Sequence, residues 1–217
     1  MTSSQVKSKK RVTDHGEVFT NKREVNAMLD LVKQETERID SRFLEPACGS
    51  GNFLTEVLRR KLDIVRSKYG KSQTDYERYA IIAVSSIYGI DILEDNIEEC
   101  KENLGKIFTE EYAKNKYKEI NPKVLETGSY ILNKNMILGD ALTLMTVDGK
   151  KPIIFSEWSA VNGNLIKRRD FTLAELLKNE PYEDNSLFSD IFDEVFIPKP
   201  IKEYDLVHYL KVNEYDE

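Results

Sequence analysis

Cysteine, histidine and long apolar runs are all scarce in this chain. Only Cys48 and Cys100 stand among 217 residues, too few for a disulfide framework and in no zinc-binding spacing, so a reduced cytoplasmic setting and no metal centre are expected. No apolar run approaches the roughly 18 to 20 residues needed to cross a bilayer, and the first ten residues hold no apolar segment to serve as a signal peptide. A membrane partner is therefore not expected. Net positive charge is also missing: 32 Lys and Arg face 38 Asp and Glu, leaving −6, the wrong sign for a chain that grips nucleic acid unaided. The distribution is uneven. Residues 1–23 carry six basic residues against two acidic ones, and residues 181–217 carry ten acids against three lysines. Solvated charge runs are the common reason for such asymmetry; the functional alternative is a basic face toward nucleic acid and an acidic tail toward a partner protein. No internal repeat is present, and the length suits one domain able to bury its own core.

What is present centres on Phe43-Leu44-Glu45-Pro46-Ala47-Cys48-Gly49-Ser50-Gly51-Asn52-Phe53-Leu54. An apolar pair leads into an acid, then two glycines one residue apart, then an amphipathic run, which predicts strand, tight turn and helix. Gly49 and Gly51 lack a Cβ, so the backbone there can take positive φ and approach a ligand closely. The helix beginning after Gly51 turns free N–H groups toward that ligand and favours an anionic group. Glu45 at the strand's end supplies one negative charge opposite. A ligand bearing both an ammonium and a carboxylate fits this pair better than a pyrophosphate does. The string E-P-A-C-G-S-G-N-F resembles motif I of S-adenosylmethionine-dependent methyltransferases, specifically those that methylate amino groups of DNA bases.

Three further segments fall in an order that matches the same family. Asp14-His15-Gly16-Glu17-Val18-Phe19-Thr20 precedes a helix whose Val25, Met28, Leu29 and Val32 recur at helical spacing, with Thr20 or Asn21 as N-cap and Glu24 in the first turn. H-G-E-V-F-T resembles motif X, although Asn21 stands where the family often has proline. The motif I helix runs on to Gly70, and a second helix covers about 74–85. Ser86-Ile87-Tyr88-Gly89-Ile90-Asp91-Ile92 then reads as a buried strand with an acid at its carboxyl end, where a carboxylate can take both hydroxyls of a ribose. Gly51 to Asp91 is twice the spacing of about 20 expected for a dinucleotide fingerprint, which counts against NAD. Y-G-I-D-I resembles motif II. An amphipathic helix is expected over 94–114, followed by a polar stretch. Met136-Ile137-Leu138-Gly139-Asp140-Ala141-Leu142 is a last strand resembling motif III, whose aspartate can accept a hydrogen bond from an adenine amine. The resemblance implies an α/β Rossmann-like S-adenosylmethionine methyltransferase sandwich with a mostly parallel sheet. Its cofactor-binding set would be Gly16, Phe19, Thr20, Glu45, Pro46, Ala47, Gly49, Gly51, Asp91, Ile92, Asp140 and Ala141.

The group that should do the chemistry is absent. Family members that methylate adenine N6 hold the flipped base with Asn or Asp, Pro, Pro and an aromatic, and no such tetrapeptide occurs. Asn121-Pro122 is followed by Lys123 and falls before motif III. At the corresponding place stands Lys151-Pro152-Ile153-Ile154-Phe155-Ser156-Glu157-Trp158-Ser159. Glu157 could offer an acceptor and Trp158 a stacking ring; Trp158 could equally fill a hydrophobic gap. Asn162-Gly163 signals a hairpin, and Lys167-Arg168-Arg169 could touch phosphate or form a solvated strand edge. The expected division is a basic N-terminus over 1–13, a methyltransferase domain over 14–160 and an irregular extension over 161–217 that contacts a partner. The expected function is the cofactor-binding subunit of a split adenine-N6 DNA methyltransferase of a restriction-modification system. DNA would be engaged only in a complex with a second methyltransferase or restriction subunit carrying the Asn-Pro-Pro-aromatic motif. A stand-alone methyltransferase for a small molecule or protein, and a non-catalytic cofactor-sensing module, are the alternatives.

Overall fold

The computed structural model describes residues 20–178 and 198–216. The chain begins with helix α1 (Lys22–Leu31), capped by Asn21, whose side chain accepts from the Glu24 N–H while Glu24 reaches back to the Asn21 N–H. A short helix α2 (Lys33–Glu37) leads to strand β1 (Phe43–Glu45). Two helices follow, α3 (Asn52–Tyr69) and α4 (Gln73–Ser85), then β2 (Ile87–Asp91), helices α5 (Glu94–Ala113) and α6 (Pro122–Asn135), and β3 (Met136–Asp140). Strands β1, β2 and β3 pair in parallel in that order, and the two-residue β4 (Met145–Thr146) closes the far edge antiparallel to β3. Parallel neighbours require crossover connections, and the helices supply them.

Side-chain alternation assigns the two faces of this sheet. A Cβ at Gly89 would meet Met136, Cys48 and Leu54, so that face looks toward α3 and α5. α3 buries Leu54, Val57, Leu58, Leu62 and Val65 with no exposed surface, each contributing up to about 1.5–3 kcal/mol of transfer free energy. The neighbouring residue Tyr88 points the other way, onto the ring of Phe155 at 5.4 Å, and its hydroxyl donates to the Ser156 carbonyl at 2.9 Å. Phe155 and Ser156 lie on β5 (Ile154–Val161), which forms a hairpin with β6 (Leu165–Thr172). The turn is the expected one, with Gly163 at φ +70°. Helix α7 (Leu173–Leu177) follows, β7 (Lys202–Glu203) and β8 (Val207–His208) add to β6, and a 3₁₀ segment (Tyr209–Asp216) packs on α6. A doubly wound sheet carries helices on both faces; among the described residues here, an antiparallel sheet covers the second face.

Three sequence expectations need correction. The polar stretch before β3 is helix α6, begun by Asn121 as N-cap and Pro122 in the first turn and buried through Val124, Thr127, Ile131 and Leu132. The division at residue 160 cuts through the β5–β6 hairpin, whose strands pair from Ile154–Thr172 to Val161–Leu165. Lys167-Arg168-Arg169 is not a free basic patch. Arg168 is buried and grips Asp170 with two hydrogen bonds of 2.8 Å, while Lys167 pairs with Glu203 and Arg169 with Glu157. Asp170 is further held by Ser156 and Tyr204, so this ion pair is fully hydrogen-bonded, as a buried one must be. No helix among the described residues is long and apolar enough to cross a membrane.

Candidate cofactor site

The carboxyl ends of β1, β2 and β3 lie on one end of the sheet, and the turn from β1 into α3 sits across the first two. Its backbone is pinned at each step. The Cys48 N–H donates to the Ile90 carbonyl at 2.9 Å, the Gly51 N–H to the Cys48 carbonyl at 2.8 Å, and the Asn103 amide of α5 to the Ser50 carbonyl at 3.0 Å. Gly49 and Gly51 take φ of +52° and +84°, the left-handed region that the glycines were expected to supply. Gly51 is the N-cap of α3 and offers no side chain to it, so the first N–H groups of an 18-residue helix are left for an anionic group.

Asp91, at the end of β2, is buried and ties this turn to the next helix. One carboxylate oxygen accepts the Gly49 N–H at 2.9 Å; the other accepts the Leu93 N–H at 2.9 Å and the Asn96 amide at 3.3 Å. A carboxylate has about four acceptor positions, so three structural bonds leave capacity for a hydroxyl. Beside it, Glu45 is half-buried, and its Oε2 is a buried oxygen without a hydrogen-bond partner among the described residues. Burial, and secondarily the charge of Asp91, push its carboxyl up to about 8. A carboxyl beside open helix N–H groups suits the ammonium and carboxylate of an amino-acid moiety, the ammonium favouring its ionised form. Pro46 and Ala47 are exposed on the same turn.

Asp140, ending β3, accepts the Leu142 N–H at 2.8 Å, which with the Thr143 hydroxyl holds its carboxyl below the usual range. It is an ionised acceptor at neutral pH, with Ala141 half-buried next to it. Two apolar side chains flank this end of the sheet, Ile92 at 44 % exposure and Leu142 at 94 %. Leu142 was not among the site residues read from sequence. A leucine directly after Gly-Asp-Ala was the available signal, since a residue leaving a strand end at a ligand can show an apolar side chain to a flat ring. The structure therefore brings together Glu45, Pro46, Ala47, Gly49, Gly51, Asp91 and Ile92, with Asp140 and Ala141 on the next strand end. Thr20 precedes the N-cap of α1, which docks on α3 through Arg60. Gly16 and Phe19 lie outside the described residues. Cys48, under the turn, shares a hydrogen bond with Cys100, and this with burial raises its thiol pKa, which makes it a packing residue and no nucleophile.

Glu157 and Trp158 are not brought to this end. Glu157 pairs with Arg42, which precedes β1, and with Arg169 at 2.6 Å; Trp158 donates its indole N–H at 2.9 Å to Asn135, which precedes β3. Both partners stand at the amino ends of the strands, the opposite end from Asp91 and Asp140. Trp158 is 6 % exposed, packed by Tyr130 and Arg168. Glu157→Gln should therefore lower stability by no more than about 2 kcal/mol and leave affinity for S-adenosylmethionine unchanged. Thermal unfolding and calorimetry on the one variant check both parts.

Among the described residues no group of three or more His, Cys, Asp or Glu could hold a metal ion. No curated protein and no solved structure matches the chain. Residues 25–131 match the family model described as UPF0020, RMKL-like, methyltransferase domain; the match runs from within α1 to within α6 and so includes the glycine turn and Asp91. Residues 25–131 are therefore similar to a methyltransferase domain, and the fold is the α/β Rossmann-like one, with the glycine turn at the carboxyl ends of the parallel strands.

Proposed function

We propose that this chain binds S-adenosylmethionine and serves as the donor-holding part of an adenine-N6 DNA methyltransferase, with the acceptor-holding group supplied from outside these 217 residues. The observation that carries the reading is the buried Oε2 of Glu45, without a hydrogen-bond partner among the described residues, beside the Gly49–Gly51 turn and Asp91. The cofactor, when bound, supplies an electrophilic methyl group on a sulfonium. The chain's own residues then divide the binding work. Glu45 and the α3 N-terminus would hold the ammonium and carboxylate, Asp91 a ribose hydroxyl, and Asp140 with Ile92 and Leu142 the adenine. DNA as substrate rests on the likeness of E-P-A-C-G-S-G-N-F to the amino-methylating enzymes. A second polypeptide fits the negative net charge and the pairing of Lys167, Arg168 and Arg169 within the fold.

The test is transfer of a radiolabelled methyl group to DNA and, separately, to RNA, by this chain alone and with a partner carrying Asn-Pro-Pro-aromatic. Labelled N6-methyladenine in DNA only in the mixture supports the reading. Labelling of RNA instead, or of DNA by this chain alone, overturns the substrate or the split. Asp91→Ala should abolish labelling in the mixture and weaken cofactor binding by at least about 1–3 kcal/mol, the range for losing hydrogen bonds to a charged group. The turn loses its Gly49 tie in the same step.

A further inference from the structure

Glycines permit the left-handed turn between β1 and α3 but do not hold it, because a residue without a Cβ takes either sign of φ about equally. Hydrogen bonds must fix it. Those from Cys48 N–H to the Ile90 carbonyl and from Gly51 N–H to the Cys48 carbonyl are backbone to backbone, and the Gly49 N–H is taken by Asp91. The Ser50 carbonyl is held by a side chain, the amide of Asn103, at 3.0 Å. Ser50 is only 6 % exposed, so its carbonyl has little water to turn to if that amide is removed. Asn103 stands in the body of α5, where asparagine is a poor helix former, and its place on the helix accounts for it. Asn96, Cys100 and Asn103 recur at i, i+4 and i+7, on one face of α5. Asn96 donates to Asp91 at 3.3 Å, Cys100 Sγ lies 2.6 Å from where a Cβ on Gly51 would stand, and Asn103 reaches Ser50. That face supports the turn from below.

We propose that Asn103 is a positioning residue for the methyl donor: by holding the Ser50 carbonyl toward α5, it keeps the turn's N–H groups, and no carbonyl oxygen, facing the donor's carboxylate at the start of α3. This rests on the reading of the turn as a S-adenosylmethionine site and adds the residue that sets its grip on the amino-acid half. Without the amide, the carbonyl of a buried residue is left unpartnered, and the Ser50–Gly51 peptide must rotate to satisfy it. Rotation breaks the Gly51 N–H bond to Cys48, which belongs to the same peptide unit. It also swings the oxygen, the negative end of the peptide dipole, toward the anion site. The carboxylate then meets a carbonyl in place of free donors. The ribose and adenine ends are spared, since Asp91 and Asp140 make their own bonds without Asn103.

Asn103→Ala and Asn103→Leu isolate the claim, since both residues form helix more readily than asparagine and leucine keeps the volume. Calorimetric affinities are measured for S-adenosylmethionine and for its decarboxylated form, which lacks only the carboxylate, so that wild type and variant make a thermodynamic cycle. Either substitution should weaken S-adenosylmethionine by about tenfold, the factor one lost hydrogen bond and its unsatisfied partner carry. The decarboxylated form should weaken by less than about twofold, as independent changes do. A merely structural role would weaken both ligands equally. If a variant proves unstable, or the decarboxylated form binds too weakly for calorimetry, the Asn103 side-chain amide resonances of the wild-type chain serve instead. They should shift on saturation with S-adenosylmethionine, because an anion on the turn polarises the peptide that the amide holds, and stay in place with the decarboxylated form. Equal weakening of both ligands, wild-type affinity for S-adenosylmethionine in both variants, or amide resonances indifferent to the carboxylate would overturn the positioning role. Absence of S-adenosylmethionine binding by the wild-type chain falls instead on the proposed function.

Discussion

Gly51→Ala should abolish cofactor binding and destabilise the fold, because one added methyl meets two independent obstacles. A Cβ at this position would lie 2.6 Å from Cys100 Sγ, and the backbone is at φ +84°. A side chain in the left-handed region costs about 1–2 kcal/mol, and overpacking of a filled core adds about 1–3 kcal/mol. Cys100 is completely buried and rests on Met136, with 3.6 Å between the sulfurs, so it has little room to yield. The double variant Gly51→Ala/Cys100→Ala separates the two obstacles. It should recover the packing part of the stability loss and none of the backbone part, leaving affinity for S-adenosylmethionine reduced by more than about tenfold. Full recovery of both would mean that the turn tolerates a side chain and that the ligand does not depend on its conformation.

Glu45 gives the second large effect, a proton expelled when the cofactor binds. In the free protein its carboxyl is pushed up to about 8 by burial and by Asp91, so at pH 7 it is mostly protonated. An ammonium beside it favours the ionised form and lowers that value, and the proton must leave. Affinity should therefore rise about tenfold per pH unit from pH 6 toward 8, until the ligand's own amine begins to lose its proton at about 7.7–8.0. The sign for folding is opposite. A carboxyl whose folded value is raised above 4.5 contributes stability that is present below pH 4.5 and is lost as pH rises through about 8. Glu45→Gln should flatten both dependences together, gaining stability near pH 8 while weakening cofactor binding there. Urea midpoints and calorimetric titrations across pH 6–8 read the two slopes.

These effects concern the part of the molecule that its sequence states most openly. Glycines at 49 and 51, an acid after an apolar run at 45 and again at 91, and helical periodicity from Leu54 to Val65 are local signals, and each has a local structural consequence. Asn162-Gly163 placed the hairpin for the same reason, since turn geometry depends on the turn residues. What was not legible is tertiary. The basic run 167–169 gives no hint that Arg168 is buried, because its partners Tyr130 and Asp216 meet it only when β6 packs against α6 and the 3₁₀ segment. Glu157 and Trp158 followed motif III in order, yet chain order does not show that β5 runs back down the sheet and carries them to its amino end. Helix α6 lay hidden in a polar stretch, although Asn121-Pro122 was a start signal and Val124, Thr127, Ile131 and Leu132 formed a buried stripe.

The central claim is that the strand ends around Glu45 bind S-adenosylmethionine, and proton-linked calorimetry tests it most directly. Binding is titrated at pH 7 in phosphate and in Tris, whose different heats of protonation reveal the number of protons exchanged, for the wild-type chain and Glu45→Gln. The account predicts binding by the wild type with release of about one proton, and weaker binding without proton release by Glu45→Gln. Absence of binding by the wild type, or binding with no proton released and unaffected by Glu45→Gln, would contradict it.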